Sequence, residues 1–227
     1  MTDYYQHEYT GIRGRGSMLP SQDEFELFLA SHGRAGPTSY ETKERTLHAL
    51  GIGPGAKVLD YGASWGCGTW QLREAGYDAR GYEVSLPRAQ FGREALGLQI
   101  DSNKTDLSSD YAAVYANHVI EHVSNPTRMI TENLERLVPN GFLIIDTPNG
   151  GSEYRCEHAE SFHRLWGQMH PQLVQPSFIT WVVGARPVLM GTALELDEIK
   201  SWLEEPSTRI SDCSGFELKI VIRKSVG

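Results

Sequence analysis

The sequence predicts an α/β fold in which helices cover both faces of a mostly parallel sheet. Two observations predict it. Short apolar runs alternate with helical segments between residues 56 and 150, and a glycine-rich turn follows the first run, in VLDYGASWGCG at residues 58–68. A chain of 227 residues with 40% hydrophobic content is long enough to bury one sizeable core, so a single domain is expected.

Two helices are predicted before the first strand. SQDEFELFLASHG starts with Ser21 as a cap, carries apolar residues at helical spacing and ends at Gly33. A second helix is predicted from Thr42 to Leu50, before the glycines and Pro54. Residues 1–20 are rich in Tyr, Gly and Arg without a steady period, so they are interpreted as an irregular arm.

The central part of the chain reads as five strands with helices between them. The strands are AKVLDYG (56–62), ARGYEVS (79–85), LQID (98–101), YAAVYAN (111–117) and FLIIDTPN (142–149); the helices are GTWQLREAG (68–76), LPRAQFGREALG (86–97) and NPTRMITENLERLVPNG (125–141). Beyond residue 150 the signal weakens. GARPVLMG (184–191) and GFELKIVIRK (215–224) are predicted as the last two strands, with the helix LELDEIKSWLEE (194–205) between them.

Composition excludes several classes of function. The net charge of -8 without a long basic run makes duplex DNA a poor partner. The cysteines Cys67, Cys156 and Cys213 are odd in number and lack CxxC spacing, which favours reduced thiols in a cytoplasmic protein. We expect no secretion signal, because the first residues carry neither a basic nor an apolar region, and no membrane span, because no apolar run is long enough. We therefore expect a cytoplasmic protein without a membrane partner, and the oligomeric state is left open.

The glycine-rich turn predicts a ligand site. Gly62, Gly66 and Gly68 remove Cβ atoms and permit positive φ, so the turn can be tight and its amides can face a ligand at the carboxyl end of the first strand. Asp60 adds a carboxylate. Glu83 follows 23 residues later, at the end of the second strand, where an acid can accept both hydroxyls of a ribose. The alternative is that the glycines serve tight packing alone.

The details of the turn indicate which nucleoside fits. A dinucleotide fingerprint requires GxGxxG, but after Gly66 and Gly68 the third position holds Gln71. Asp60, two residues before Gly62, would repel a pyrophosphate and suits a cationic amino acid tail. S-adenosylmethionine has such a tail, whereas NAD fits poorly.

Three stretches, in this order along the chain, resemble a known protein family. VLDYGASWGCGTWQLREAGYDARGYEVS, YAAVYANHVIEHVSNP and ERLVPNGFLIIDTPN resemble the class I S-adenosylmethionine-dependent methyltransferases, within the branch of ubiquinone-biosynthesis and sugar or natural-product O-methyltransferases. The resemblance covers about residues 55–150. It implies a Rossmann-like fold with a seven-stranded sheet and an antiparallel last strand. It also implies S-adenosyl-L-methionine as cofactor, with S-adenosyl-L-homocysteine as product.

The resemblance implies roles around the turn. Asp60 and Gly62 match the acid and first glycine of the cofactor motif, and Gly66 matches its last glycine. Ser64 stands where the family commonly has glycine, so the turn is expected to differ there and the Ser64 side chain to add a contact of its own. Glu83 matches the acid that binds the ribose.

It also implies the remaining cofactor contacts. Val84 matches the apolar residue against adenine, and Asp106 with Leu107 matches the segment whose acid receives the adenine amino group. Asn117, at the end of the fourth strand, stands where the family contacts the methionine moiety. The domain is then expected to comprise residues 1–54 as arm, helices and substrate lid, 55–150 as cofactor-binding core, and 151–227 as substrate-covering segment with the last strands.

His118 is the candidate catalytic residue. It follows Asn117 at the mouth of the sheet, and a neutral imidazole titrates near physiological pH, so it could act as the base toward a hydroxyl acceptor. His118, Glu121 and His122 also spell HxxEH, but they directly follow a predicted strand, so we expect no zinc-hydrolase site.

No metal is predicted, although one alternative stays open. Some relatives hold a divalent cation through ExxEH and a distant histidine, and His118 here replaces the first acid. His158, His163 or His170 would then be the extra ligand.

The predicted function is methyl transfer to a small-molecule acceptor, a hydroxyl of a sugar or natural-product intermediate. The acceptor is expected to contact residues 153–181 and the arm, through Tyr4, Tyr5, Tyr9, Arg13 and Arg15. The alternatives are a metal-assisted O-methyltransferase, a non-catalytic methyltransferase-like binding domain and, disfavoured by the glycine spacing, a nicotinamide-dependent oxidoreductase.

Overall fold

The structure is a computed structural model that describes residues 18–35, 38–167 and 170–225. The described residues divide into two compact units. The first runs to His48 and resumes over Ile52–Ser108, and the second comprises Ala49–Gly51 and the chain from Ser109 onward. The predicted single domain, with its boundaries at residues 54 and 150, stays a prediction. The tyrosines and arginines predicted in the arm, at positions 4, 5, 9, 13 and 15, lie outside the described residues.

The first unit alternates helices with three parallel strands in the order β3-β2-β1. Its elements are α1 (Gln22–Ala30), α2 (Glu41–Ala49), β1 (Lys57–Tyr61), α3 (Cys67–Glu74), β2 (Asp78–Tyr82), α4 (Leu86–Leu96), β3 (Ile100–Asp101) and a short 3₁₀ helix (Lys104–Asp106). The predicted β-α-β unit is therefore present, with boundaries within a few residues of those predicted.

Helix α1 forms because its ends are specified by sequence. The Ser21 hydroxyl accepts a hydrogen bond from the Glu24 amide, while the Glu24 carboxylate accepts one from the Ser21 amide. The apolar face of α1 packs on the glycine-rich turn: the Phe28 ring meets Trp65 at 4.9 Å, edge to face. This packing holds α1 against the turn.

The second unit is built on a mixed sheet in the order β4-β5-β8-β6-β7. β8 runs antiparallel to β5 and to β6, while β4 with β5 and β6 with β7 are parallel. Its elements are β4 (Tyr111–Asn117), a 3₁₀ helix (Ile120–His122), α5 (Pro126–Glu135), β5 (Leu137–Pro148), α6 (Ser152–Glu157), α7 (Ala159–Leu165), α8 (Pro176–Val183), β6 (Val188–Gly191), α9 (Leu196–Glu204), β7 (Thr208–Ile210) and β8 (Glu217–Arg223). The predicted antiparallel last strand is confirmed.

Three details of the second unit correct the sequence prediction. The described residues of the chain contain eight strands rather than seven, because β7 forms beside β6. β5 begins at Leu137, not at residue 142, since Leu137 pairs with Tyr111 and the Asn140 amide donates to the Lys224 carbonyl. Helices α6, α7 and α8 form after residue 150, where the sequence pattern weakens and none of these three helices was predicted.

Among the described helices, none has the combination of length and apolar composition that crossing a bilayer requires.

Candidate active site

The glycine-rich turn adopts left-handed backbone at three positions. The φ angles are 88° at Gly62, 53° at Ser64 and 92° at Gly66. The amides of Gly62 and Ala63 both donate to the Tyr82 carbonyl, at 2.8 and 2.9 Å. Ser64 therefore occupies a glycine-type conformation at the position where the resemblance leads one to expect glycine.

Gly66 and Gly68 both pack closely against neighbouring side chains. A Cβ at Gly66 would lie 2.5 Å from a Leu98 methyl, and one at Gly68 would lie 2.1 Å from the Tyr40 ring. Both glycines therefore make room for neighbouring side chains. Close packing and cofactor binding are compatible at these positions, so the cofactor role predicted for Gly62 and Gly66 stays a prediction.

Asp60 is a buried carboxylate at the end of β1, with 1% of its surface exposed. One oxygen accepts a hydrogen bond from the Thr69 hydroxyl at 2.8 Å, and the other accepts one from the Tyr40 hydroxyl at 3.3 Å. Burial raises the pKa of Asp60 to about 6, because these hydroxyls and the more distant Lys43 only partly offset the cost of burying the charge. The site thus holds an acid that a cationic ligand would stabilise in its charged form.

Glu83 lies immediately beyond β2 and is joined to the turn. Its carboxylate accepts hydrogen bonds from the Ser64 amide at 2.9 Å and from the Ser85 amide at 2.7 Å. Burial raises the pKa of Glu83, although both amides favour its charged form. The two amides, with a further backbone hydrogen bond from Val84, fix the carboxylate. Because a carboxylate accepts about four hydrogen bonds, a lone pair remains for a ligand hydroxyl.

The segment predicted at adenine takes the form of a 3₁₀ turn. Leu107 is buried, whereas Asp106 is exposed and accepts from the Thr105 hydroxyl at 3.2 Å. The Lys104 ammonium lies 5.7 Å from the centre of the Tyr61 ring, which brings this segment to the end of β1. Val84 is half-buried directly after Glu83.

Three residues that support the turn were not identified from the sequence. Tyr40 and Thr69 contact Asp60 as described, and Gln71 accepts from the Tyr40 amide at 2.8 Å while donating to the Thr38 carbonyl at 2.8 Å. Thr69 could have been found, since it lies one turn into the helix that follows the glycines. Tyr40 gives no such signal, because it reaches Asp60 only through tertiary packing.

In the second unit, Asn117 ends β4 and His118 follows it, as predicted. Asn117 is half-buried and in register with Asp146 of β5. His118 has a φ of 52°, an unusual value for a residue with a side chain, and its amide donates to the Asp146 carbonyl at 2.8 Å. The backbone therefore turns sharply where the candidate catalytic side chain leaves the sheet.

The His118 ring lies between two carboxylates. Nδ1 is 3.2 Å from Glu121 and Nε2 is 2.8 Å from Glu217, and Glu217 in turn accepts from Lys219 at 2.8 Å. Burial lowers the pKa of His118, but the hydrogen bonds of Glu121 and Glu217 outweigh it and raise the pKa to about 9. His118 lowers the pKa of Glu217 to about 2. At neutral pH His118 is therefore a cation and must lose its proton before it can act as a base.

Glu121 also belongs to a group with metal-ligand chemistry. Ligand atoms of Glu121, His122 and His170 lie within 4.8 Å of one another. The Leu165 carbonyl, 2.8 Å from His170 Nδ1, requires the proton there and leaves Nε2 with its lone pair. Of the three histidines considered as extra ligands, the structure brings His170 to this group, while His158 and His163 are exposed on α6–α7.

Comparison with known proteins agrees with this geometry. A family model described as "Methyltransferase domain" matches residues 36–185. The chain belongs to this methyltransferase family. The predictions of a class I methyltransferase, of an enzyme and of S-adenosylmethionine as cofactor are confirmed at the level of the family. No curated protein matches the chain by sequence.

Solved structures show the same fold. The plantazolicin methyltransferase BpumL, in complex with a monoazolic desmethylPZN analog and SAH, aligns with a TM-score of 0.61 and 13% identity over 90% of this chain and 91% of its own. A TehB-like SAM-dependent methyltransferase from Corynebacterium glutamicum gives 0.58 and 14% over 89% and 95%. A SAM-dependent methyltransferase from Archaeoglobus fulgidus gives 0.55 and 17% over 88% and 99%. The predicted Rossmann-like methyltransferase fold is confirmed.

Proposed function

We propose that the protein transfers a methyl group from S-adenosylmethionine to a hydroxyl of a small-molecule acceptor, a sugar or natural-product intermediate. The observation that carries the cofactor assignment is the pair of buried carboxylates joined through one turn, Asp60 and Glu83, with the Ser64 amide bound to Glu83. We propose that the protein is cytoplasmic, because its three cysteines are free thiols.

The chemistry of the first unit fits this cofactor. Asp60 is a buried acid whose hydrogen-bond partners are neutral hydroxyls. The cationic methionine tail would add a positive charge in contact with the carboxylate and so stabilise its ionised form. Glu83 would accept the ribose hydroxyls, and Val84, Asp106 and Leu107 would bound the adenine. We assign Asn117 to the methionine moiety. The bound cofactor supplies an electrophilic methyl group on a sulfonium.

The remaining work of the chain is orientation and proton removal. Methyl transfer requires an in-line approach of the acceptor, and a hydroxyl acceptor must lose its proton. We propose His118 as the group that accepts this proton. Since Glu121 and Glu217 hold His118 as a cation, the role requires that His118 first release its proton to solvent, after which a ring nitrogen accepts the proton of the acceptor hydroxyl.

Calorimetric titration tests the cofactor assignment. The protein should bind S-adenosylmethionine and S-adenosylhomocysteine but not NAD. Glu83→Ala should weaken S-adenosylhomocysteine at least about tenfold, the effect of losing a charged hydrogen-bond acceptor. The control is Glu94→Ala, because Glu94 is exposed on α4. Equal dissociation constants for Glu83→Ala and the control would remove Glu83 from the ribose site.

A metal-assisted reaction is a second candidate, and the grouping of Glu121, His122 and His170 favours it. These residues would hold a divalent cation that lowers the pKa of the acceptor hydroxyl. Chelation separates the candidates. If His118 acts without a metal, EDTA leaves methyl transfer intact; if the metal acts, EDTA abolishes it, a divalent ion restores it, and His170→Ala removes that restoration.

A further inference from the structure

A cavity of about 280 Å³ opens in the second unit, within the segment predicted to cover the acceptor. α6, α7 and the chain that follows them line it, and among the lining residues are Arg155, Phe162, Trp166 and Gln172. This volume lies at the lower end of the range for ligand pockets, so it suits a single ring with its substituents rather than a polymer.

The charge carried by the described residues that line the cavity is positive only. Arg155 is the cation among the described lining residues, and none of those residues is an acid. The Arg155 guanidinium lies 5.5 Å from the centre of the Phe162 ring, which orients it. No carboxylate forms an ion pair with Arg155 within residues 18–35, 38–167 and 170–225. The planar guanidinium is thus available to an anion from outside the chain.

The walls suit the body of such a ligand. Phe162 is buried and presents a fixed aromatic surface, while Trp166 is 55% exposed. Ser152, Gln172 and Gln175 add polar groups that can bind hydroxyls. The Gln172 amide is itself fixed, because it donates to the Val123 carbonyl at 2.7 Å. An aromatic wall with neutral polar groups and one cation accommodates a monoanionic ring compound.

We infer that this cavity binds the acceptor by a carboxylate on a single ring, with Arg155 as the group that recognises it. A carboxylate matches the guanidinium in geometry and in charge, since one cation balances one negative charge and the described residues that line the cavity include no second cation for a phosphate dianion. The inference rests on the proposed function, because it assigns the cavity to the methyl acceptor.

Matched probe pairs test it on the full chain by ligand-observed NMR, without S-adenosylhomocysteine. The pairs are benzoate with benzamide and glucuronate with glucose, which separate an aromatic acid from a sugar acid. In at least one pair the carboxylate should bind about twofold to fivefold tighter than its neutral partner, as expected for an ion pair with an exposed arginine. Arg155→Met should abolish that preference. Arg164→Met, an exposed arginine of α7 outside the cavity lining, should leave it unchanged.

Three results of these experiments would contradict the inference. Neutral probes that bind as well as the carboxylates, four probes that all fail to bind, or a preference that survives Arg155→Met would overturn the inference. Should Arg155→Met fail to fold, Trp166→Ala replaces it, since Trp166 is exposed: it should weaken both members of the preferred pair and keep their ratio. S-adenosylhomocysteine is titrated separately. Its failure to bind would reject the cofactor assignment, and the carboxylate preference would still be decided by the probes.

Discussion

The glycine-rich turn of the first unit and residues 150–183 of the second unit are both candidate binding regions, but they are built differently. In the turn, buried carboxylates receive fixed hydrogen bonds from amides and hydroxyls, and the backbone is held in left-handed conformations. Residues 150–183 form three short helices with exposed Trp166 and Trp181. The fixed carboxylates and backbone of the turn would allow few ligand geometries. The short helices and exposed tryptophans form a surface whose shape substitutions can change.

The largest expected effect separates chemistry from cofactor binding. If His118 removes the acceptor proton, His118→Ala should lower single-turnover methyl transfer by about 10² to 10⁴ while the affinity for S-adenosylhomocysteine is unchanged, because no cofactor contact is assigned to His118. The melting temperature should fall as well, because the buried Glu121 loses a charged partner while its hydrogen bond from Thr147 remains. The assay is therefore run well below the melting temperature of the variant.

The control for this change is His163→Ala, which removes an exposed imidazole from the same unit. A normal single-turnover rate in His118→Ala would exclude His118 from the mechanism. A loss of S-adenosylhomocysteine affinity as large as the loss of rate would mean that His118 takes part in cofactor binding rather than in proton removal.

A second effect concerns the charge on Asp60. Because burial raises its pKa from 3.8 to about 6, the folded protein binds more protons than the unfolded chain between these values. The free energy of unfolding without ligand should therefore fall as pH rises through this window, by up to ~3 kcal/mol. Asp60→Asn should flatten this dependence, as denaturant titrations at pH 4 to 7 would show.

The same acid gives cofactor affinity the opposite pH dependence. A cationic tail binds the charged form of Asp60, so affinity for S-adenosylhomocysteine should fall by up to about tenfold per pH unit below about 6. Asp78→Asn, an exposed substitution on β2, should keep the normal profile. An affinity that is constant from pH 7 to 5 would contradict the pairing of Asp60 with the tail.

The two regions also differ in how far the sequence predicted them. Asp60, Gly62 and Glu83 were identified because strand ends and glycine conformations are local properties of the chain. Tyr40 was missed because it reaches Asp60 across 20 positions, and a sequence pattern does not record such packing. In residues 150–183, α6 and α7 are too short to show a helical period, so the cavity that they line could not be predicted.

A third effect tests the packing role of the turn glycines. Gly68→Ala places a Cβ 2.1 Å from the Tyr40 ring, so Tyr40 must move away from Asp60. Overpacking of this kind costs about 1 to 3 kcal/mol, of which the better helix propensity of alanine recovers up to about 1. The matched control is Gly53→Ala, since nothing lies within 4 Å of its added Cβ.

Thermal melts and a double-mutant cycle measure this coupling. If the clash is the cause, Tyr40→Ala should suppress the cost of Gly68→Ala, and the double variant should be more stable than the sum of the single changes implies. Additive free energies would mean that Gly68 is required for another reason, such as the close approach of a ligand.

The smallest effect lies at Ser64, where the turn departs from the glycine of related enzymes. Its φ of 53° costs a residue with a side chain about 1 to 2 kcal/mol, and glycine's greater freedom in the unfolded chain offsets about 0.4 to 1 of that. Ser64→Gly should therefore raise the free energy of unfolding by up to about 1 kcal/mol, while the amide that binds Glu83 is retained. Ser64→Ala keeps the strain and removes only the hydroxyl, so it should show no such gain.

The affinity for S-adenosylhomocysteine shows whether the Ser64 hydroxyl has a role of its own. If Ser64→Ala and Ser64→Gly weaken S-adenosylhomocysteine equally, the hydroxyl itself contacts the cofactor, and the departure from glycine is a specificity feature of the first unit. If neither variant changes affinity, the serine is tolerated strain, and the amide of residue 64 is the part that the turn requires.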